Sequence, residues 1–170
     1  MTAEPIRTER LTLRETQEGD LPALIAALRE PDVARWWPGF DEEEARMAFL
    51  GRDDITVLTI EHRGQVIGAI QFYEHADPGY RHAGADLFVA SAWQGKGLGS
   101  EAVRGVAGHL FDARGHHRMV IDPAATNLRA IRAYEKVGFR QVGVMRQYER
   151  GADGTWHDCV MMELLKGDLR

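Results

Sequence analysis

Apolar and polar residues alternate through Arg10-Leu-Thr-Leu-Arg14, which predicts a short first strand. Beyond it Leu21, Leu24, Ile25 and Leu28 recur at i, i+3, i+4 and i+7, the spacing of one helical face. Asp20 is placed to cap that helix and Pro31 to end it. A loop carrying Trp36-Trp37-Pro38-Gly39 leads to Asp41, the predicted cap of a second helix near Glu42–Leu50. Glu42, Glu43 and Glu44 in its first turn suit the positive end of the helix dipole. Two β-rich runs, 55–60 and 66–73, are separated by a short segment containing Gly64, the signature of an antiparallel hairpin. A third run, Ala85-Asp-Leu-Phe-Val89, leads into a glycine-rich segment. Val103, Val106, Ala107, Leu110 and Phe111 then mark one face of a further helix. Met119-Val-Ile121 reads as a short strand. Thr126 can cap a helix running through Lys136, with Gly138 as its stop, and 139–145 and Trp156–Leu165 read as two closing strands. This order of strands and helices predicts a mixed α/β fold, a central sheet with helices packed on its faces.

Composition narrows the reading. At 170 residues the chain is predicted to form one domain, residues 1–170, large enough to bury about two-thirds of its extended-chain surface. One cysteine cannot form an internal disulfide, so a reducing, cytoplasmic setting is expected rather than a disulfide-framed secreted scaffold. The stretch from Met1 to Arg10 has no apolar h-region, and no apolar run approaches the roughly 20 residues of a membrane span. Neither a signal peptide nor membrane association is expected. The net charge of −5, without a basic block, argues against nucleic acid and fits a cationic small molecule. The seven histidines show no metal-ligand spacing, so no metal is expected. Cys159, in an alternating run, reads as a small buried residue rather than a nucleophile.

Gln94-Gly-Lys-Gly-Leu-Gly99 lies between a β-run and an amphipathic helix. Glycines let the backbone approach a ligand closely, and the free N–H groups of a helix start attract an anion. A phosphate or pyrophosphate cradle is therefore expected. The segment is neither a P-loop nor a dinucleotide-binding fingerprint, because Ser100 and Ala102 stand where the latter would place glycine. Gln94-x-x-Gly97-x-Gly99 resembles the acetyl-CoA signature of the GNAT superfamily of N-acetyltransferases. About 28 residues on, Asn127-Leu-Arg-Ala-Ile-Arg-Ala-Tyr134-Glu-Lys-Val-Gly-Phe139 is similar to a second segment of that superfamily. Within it the chain most resembles aminoglycoside 6′-N-acetyltransferases, through Trp36-Trp37, the glycine loop and the stretch from Asp122 to Phe139.

The resemblance implies a GNAT-type mixed, mostly antiparallel sheet of about seven strands with about four helices. It implies acetyl-CoA held by Val89, Gln94, Gly95, Lys96, Gly97, Leu98, Gly99, Ser100, Asn127, Ala130 and Tyr134. Asn127, Ala130 and Tyr134 share one helical face, and Tyr134 would serve the departing sulfur. A phenol of pKa near 10 protonating a thiolate near 8.5 is uphill by roughly 2 kcal/mol, so hydrogen bonding to the thiolate is the easier role. Asp86 would take the acceptor's proton, although it stands one residue nearer the glycine loop than in the aminoglycoside enzymes. The backbone N–H near Val89 would polarise the thioester carbonyl. Trp36, Trp37, Asp86, Asp122 and Asp153 would contact the amine substrate. The expected activity is direct acetyl transfer to a primary amine, the 6′ amino group of an aminoglycoside, by a monomer or homodimer. A ribosomal-protein-type Nα-acetyltransferase and a non-catalytic acyl-CoA sensor are the alternatives.

Overall fold

The computed structural model describes residues 4–170; the first three residues of the Met1–Arg10 stretch lie outside it. Strands β1 (Ile6–Arg7) and β2 (Leu11–Glu15) open the fold, followed by helices α1 (Leu21–Leu28), α2 (Pro31–Ala34) and α3 (Glu42–Leu50). Strands β3 (Thr56–His62), β4 (Gln65–His75) and β5 (His82–Val89) form a meander. Helix α4 (Leu98–Asp112) then crosses to β6 (Arg118–Ile121), and α5 (Leu128–Val137) leads to the hairpin β7 (Arg140–Arg150) and β8 (Trp156–Leu165). The eight strands form one sheet in the order β1-β2-β3-β4-β5-β6-β8-β7.

Each face of the sheet buries its own apolar cluster. Leu13, Ile60, Ile70, Val103, Val106, Leu110, Ile131 and Met162 pack under α4 and α5. Leu24, Leu28, Phe49, Val57 and Phe88 pack under α1 and α3. The period-2 strands and the helix stripes thus meet as the sequence pattern requires.

Three local expectations are revised. Pro31 does not simply stop α1; it begins α2, where its fixed φ suits the first turn. Asn127, not Thr126, caps α5, its Oδ1 accepting the Ala130 N–H at 3.2 Å. Asp20 makes no cap hydrogen bond to α1. It is 6% exposed, and Arg14 binds both of its oxygens at 2.8 Å while Gln17 N–H and the Thr59 hydroxyl also donate to it. A guanidinium fork outcompetes a cap for the same carboxylate.

Burial alone would raise the pKa of Asp20, but Arg14, Gln17 and Thr59 outweigh it and hold the carboxyl below its ordinary value. A carboxylate lowered on folding contributes stability above its unfolded pKa, near 4, and loses it as pH falls through the folded value. Urea unfolding from pH 7 to 3 is expected to show wild type losing stability in the acid range. Asp20→Asn should start less stable and depend less on pH.

The functional geometry comes from one departure from regular pairing. Among the described residues only β5 and β6 run parallel, and they pair only at Ala83↔Met119 and Gly84↔Val120. From Ala85 to Val89 the edge of β5 is left without β6, and the sheet splays open there.

Candidate active site

A cavity of about 1340 Å³ occupies the splay between β5 and β6. The glycine loop, the start of α4 and one face of α5 line one half. The other half is lined by the Trp36-Trp37 loop, the end of β5, the segment after β6 and the end of β7. That segment, from Asp122 to Asn127, is fixed against β8 by Val160 N–H on the Pro123 carbonyl and Ala125 N–H on the Asp158 carbonyl.

In the first half, Gly97 precedes α4 with φ of 76°, a left-handed conformation that strains any residue with a Cβ. The first intrahelical bond of this turn runs from Glu101 N–H to the Gly97 carbonyl, so the N–H groups of Leu98, Gly99 and Ser100 are the free donors of a helix start. Leu98 contributes this N–H while its side chain is in the core. Gln94 braces the loop: its amide donates to the Val89 carbonyl at 2.8 Å and accepts from Arg129 at 2.9 Å. Arg10 donates to Glu101 at 2.7 Å and to the Lys96 carbonyl at 3.0 Å. The Lys96 ammonium lies 4.8 Å from the Trp93 ring centroid, and its side chain is outside the cavity lining. Arg10, Arg104, Arg129, Arg132 and Lys136 line this half. Free helix-start donors, a loop with glycine at 95, 97 and 99 and a cationic rim suit the diphosphate of acetyl-CoA.

Val89 lies where the halves meet. Ala90 N–H donates to Ile67 across the β4 edge, so strand alternation turns the Val89 N–H toward the splay. Two residues earlier, the Leu87 carbonyl accepts the Trp37 indole N–H at 3.1 Å, and the Trp37 ring packs edge-on against Phe88. These contacts hold the tryptophan loop over the acceptor half. Trp36 also faces the cavity, with the Arg35 guanidinium 5.0 Å from its ring centroid.

Carboxylates from three separate elements converge here: Asp86 from β5, Asp122 after β6, and Glu149 near the end of β7. Asp86 is open to the cleft yet ringed by protein. Loss of hydration pushes its carboxyl up to about 7; a hydrogen bond from Leu87 N–H opposes the rise, and the charges of Asp122 and Glu149 add to it. It pairs with neither Arg81 nor His82: Arg81 donates to the Arg114 carbonyl and His82 lies against the Tyr80 carbonyl. Tyr134 is 7% exposed and lines the cavity, its ring 5.9 Å from that of Phe139. Burial, with the charges of Asp86 and Asp122, raises its phenol well above the ordinary value. The charge of Asp122, with burial, helps push the Tyr148 phenol up to about 12. A carboxyl titrating near neutrality, beside a phenol that stays protonated, can accept a proton from an ammonium group and donate a hydrogen bond to a thiolate.

Two candidates lie elsewhere. Asp153 sits at the β7–β8 turn, outside the cavity lining, where its carboxylate meets His157 and Thr155 at 2.9 Å. These partners, His157 foremost, bring its pKa down to about 2. Cys159 is fully buried, its thiol pushed up to about 12 by burial and by the Glu149 charge. Its thiol therefore remains protonated and poorly nucleophilic. Among the described residues, no group of three or more His, Cys, Asp or Glu could hold a metal, and no helix is long and apolar enough to cross a membrane. The sequence alone assigns no site role to Tyr148, Glu149, Arg35 or Arg129. The first two follow a polar run inside β7, where broken alternation is the only visible signal.

Comparison with known proteins agrees with this geometry. Residues 10–140 match the family model "Acetyltransferase (GNAT) domain". Aminoglycoside N(6′)-acetyltransferase type 1 of Klebsiella pneumoniae is 33% identical over 157 residues, covering 81% of this chain and 77% of that protein. The crystal structure of aminoglycoside acetyltransferase AAC(6′)-Ib with coenzyme A and kanamycin superimposes with a TM-score of 0.76 at 29% identity, covering 93% of this chain and 96% of that one. A GNAT-family acetyltransferase from Bacillus anthracis shares the fold, with a TM-score of 0.83 at 22% identity over 96% of this chain and 99% of its own. The splayed sheet, its amide cradle and these likenesses lead to one conclusion: the chain belongs to the GNAT acetyltransferase family and is an acetyl-CoA-dependent N-acetyltransferase.

Proposed function

We propose that the enzyme acetylates the 6′ amino group of an aminoglycoside by direct attack in a ternary complex. The observation that carries this reading is the convergence of Asp86, Asp122 and Glu149 on the acceptor half, none of them in a salt bridge with a Lys or Arg among the described residues. Carboxylates left without a protein cation attract a polycationic ligand. The AAC(6′)-Ib likeness, with kanamycin bound in that protein, supports the same class.

Acetyl-CoA supplies the thioester. The N–H groups of Leu98, Gly99 and Ser100, on the loop formed by Gln94, Gly95, Lys96 and Gly97, hold its diphosphate, and the face of Asn127, Ala130 and Tyr134 lies along its arm. Asp86 takes one proton from the 6′ ammonium and passes it to water; the neutral nitrogen then bonds to the acetyl carbon, and its surplus proton goes to Asp86 in turn as the amide forms. Val89 N–H stands where negative charge develops on the carbonyl oxygen. As the carbon–sulfur bond breaks, the Tyr134 hydroxyl donates a hydrogen bond to the thiolate. Asp122 binds ammonium, and Trp36 and Trp37 wall the sugar. Asp153, at the hairpin tip, has no part in this scheme.

Thiol release from acetyl-CoA is expected with kanamycin, and none with an analogue bearing hydroxyl at 6′. Release with N-terminal peptide amines but no aminoglycoside would reject the assignment.

A further inference from the structure

β7 contains an irregularity that the proposed chemistry leaves unused. Between the pairs Met145↔Cys159 and Glu149↔His157, β7 advances four residues while β8 advances two. The extra residues form a bulge, and Gln147 adopts φ of 49°, one of two non-glycine residues with positive φ among those described. Such a conformation persists only when surrounding contacts fix it. Asp158 on β8 provides one, accepting the Gln147 N–H at 2.8 Å.

The bulge changes which side chain reaches the cavity. A regular ladder continued from Met145↔Cys159 would set Gln147 opposite His157. With the insertion, Glu149 takes that place. Its carboxylate then lies beside the buried Cys159 thiol, which donates to Oε2 at 3.5 Å, and lines the acceptor half. A protonated thiol is a weak, neutral donor and leaves the carboxylate charge uncompensated. Tyr134, 7% exposed, lines the same cavity, and its hydroxyl has no hydrogen-bond partner among the described residues.

We propose that Glu149, carried into the cavity by the β7 bulge, binds a second ammonium group of the acceptor, so that the enzyme selects amines bearing more than one cationic nitrogen. This rests on the acceptor assignment above and extends it. Asp86 engages the nitrogen that reacts, while Glu149 holds one that does not. Removing such a contact lowers affinity for polyamines alone, because a monoamine never makes it.

The test compares kanamycin with methyl 6-amino-6-deoxyglucoside, which has a single amine, by thiol release at saturating acetyl-CoA. Glu149→Gln should raise KM for kanamycin about tenfold with kcat nearly unchanged, the loss expected for one close charge pair. At pH 9, above the Asp86 limb, it should leave kcat/KM for the monoamine as in wild type, and Glu149→Asp should recover most of the kanamycin KM. Asp158→Ala, which frees the bulge without touching the acceptor, should reproduce the kanamycin-selective KM rise at the same pH. An equal loss with both amines, or no change with either, overturns the assignment of Glu149. Failure of wild type to release thiol with any amine overturns the acceptor reading itself and, with it, this extension.

Discussion

Replacing Asp86 by Asn should lower kcat for amine acetylation by about two to four orders of magnitude, the usual worth of a positioned general base. The amide preserves shape but cannot accept the ammonium proton. The diphosphate cradle lies on another element, so KM for acetyl-CoA should hardly change. The pH profile gives a sharper signature. Wild-type Asp86 titrates at about 7 because it loses hydration and faces Asp122 and Glu149. Only its ionised form can act, so kcat/KM should rise with pH through an acid limb near 7. In Asp86→Asn that limb should vanish, leaving only the titration of the acceptor. An unchanged limb in the variant would place the proton acceptor elsewhere.

Tyr134→Phe should reduce kcat by about two to three orders of magnitude while retaining the fold. The ring that packs on Phe139 stays, and only the hydroxyl is lost. Burial and the nearby carboxylates hold that hydroxyl protonated through the working pH range. Wild type should therefore show no basic limb from Tyr134. The upward displacement also strengthens the argument made from ordinary pKa values: proton transfer from this phenol to a thiolate is still less favourable than between the free groups, and its role is to donate a hydrogen bond. Pre-steady-state kinetics should show a slower acetyl-transfer step with coenzyme A affinity largely retained. Equal turnover in the two proteins would remove Tyr134 from the reaction.

Local pattern made much of this architecture legible. The short hairpin spacing, the stripe from Val103 to Phe111 and the Asp41 cap correspond to β3–β4, α4 and the start of α3. Glycine loop and Asn127–Tyr134 face also arrive where their order implied, because sequence-local geometry sets both. Where neighbours compete, pattern fails to decide. Thr126 and Asn127 can each cap a helix, and the path of 122–127 along β8 selects the second. Asp20 can cap α1, yet Arg14, brought by sheet pairing, takes its carboxylate. The two-residue β1 is too short to show alternation. Glu149 was hidden for a similar reason. Its arrival depends on a register shift between two strands, a property of their pairing and of neither strand alone. Asp153 looked equally acidic, but its own turn partners keep it at the hairpin tip.

The central claim is that the convergent carboxylates present a polycationic sugar's 6′ nitrogen to the thioester. Its most direct test is the structure of the product. Kanamycin, acetyl-CoA and the enzyme should yield a single monoacetylated drug, with one thiol released per acetyl and the new amide assigned by NMR to the 6′ nitrogen. Acetyl on another nitrogen, or thiol released with no acetylated drug, would contradict the account.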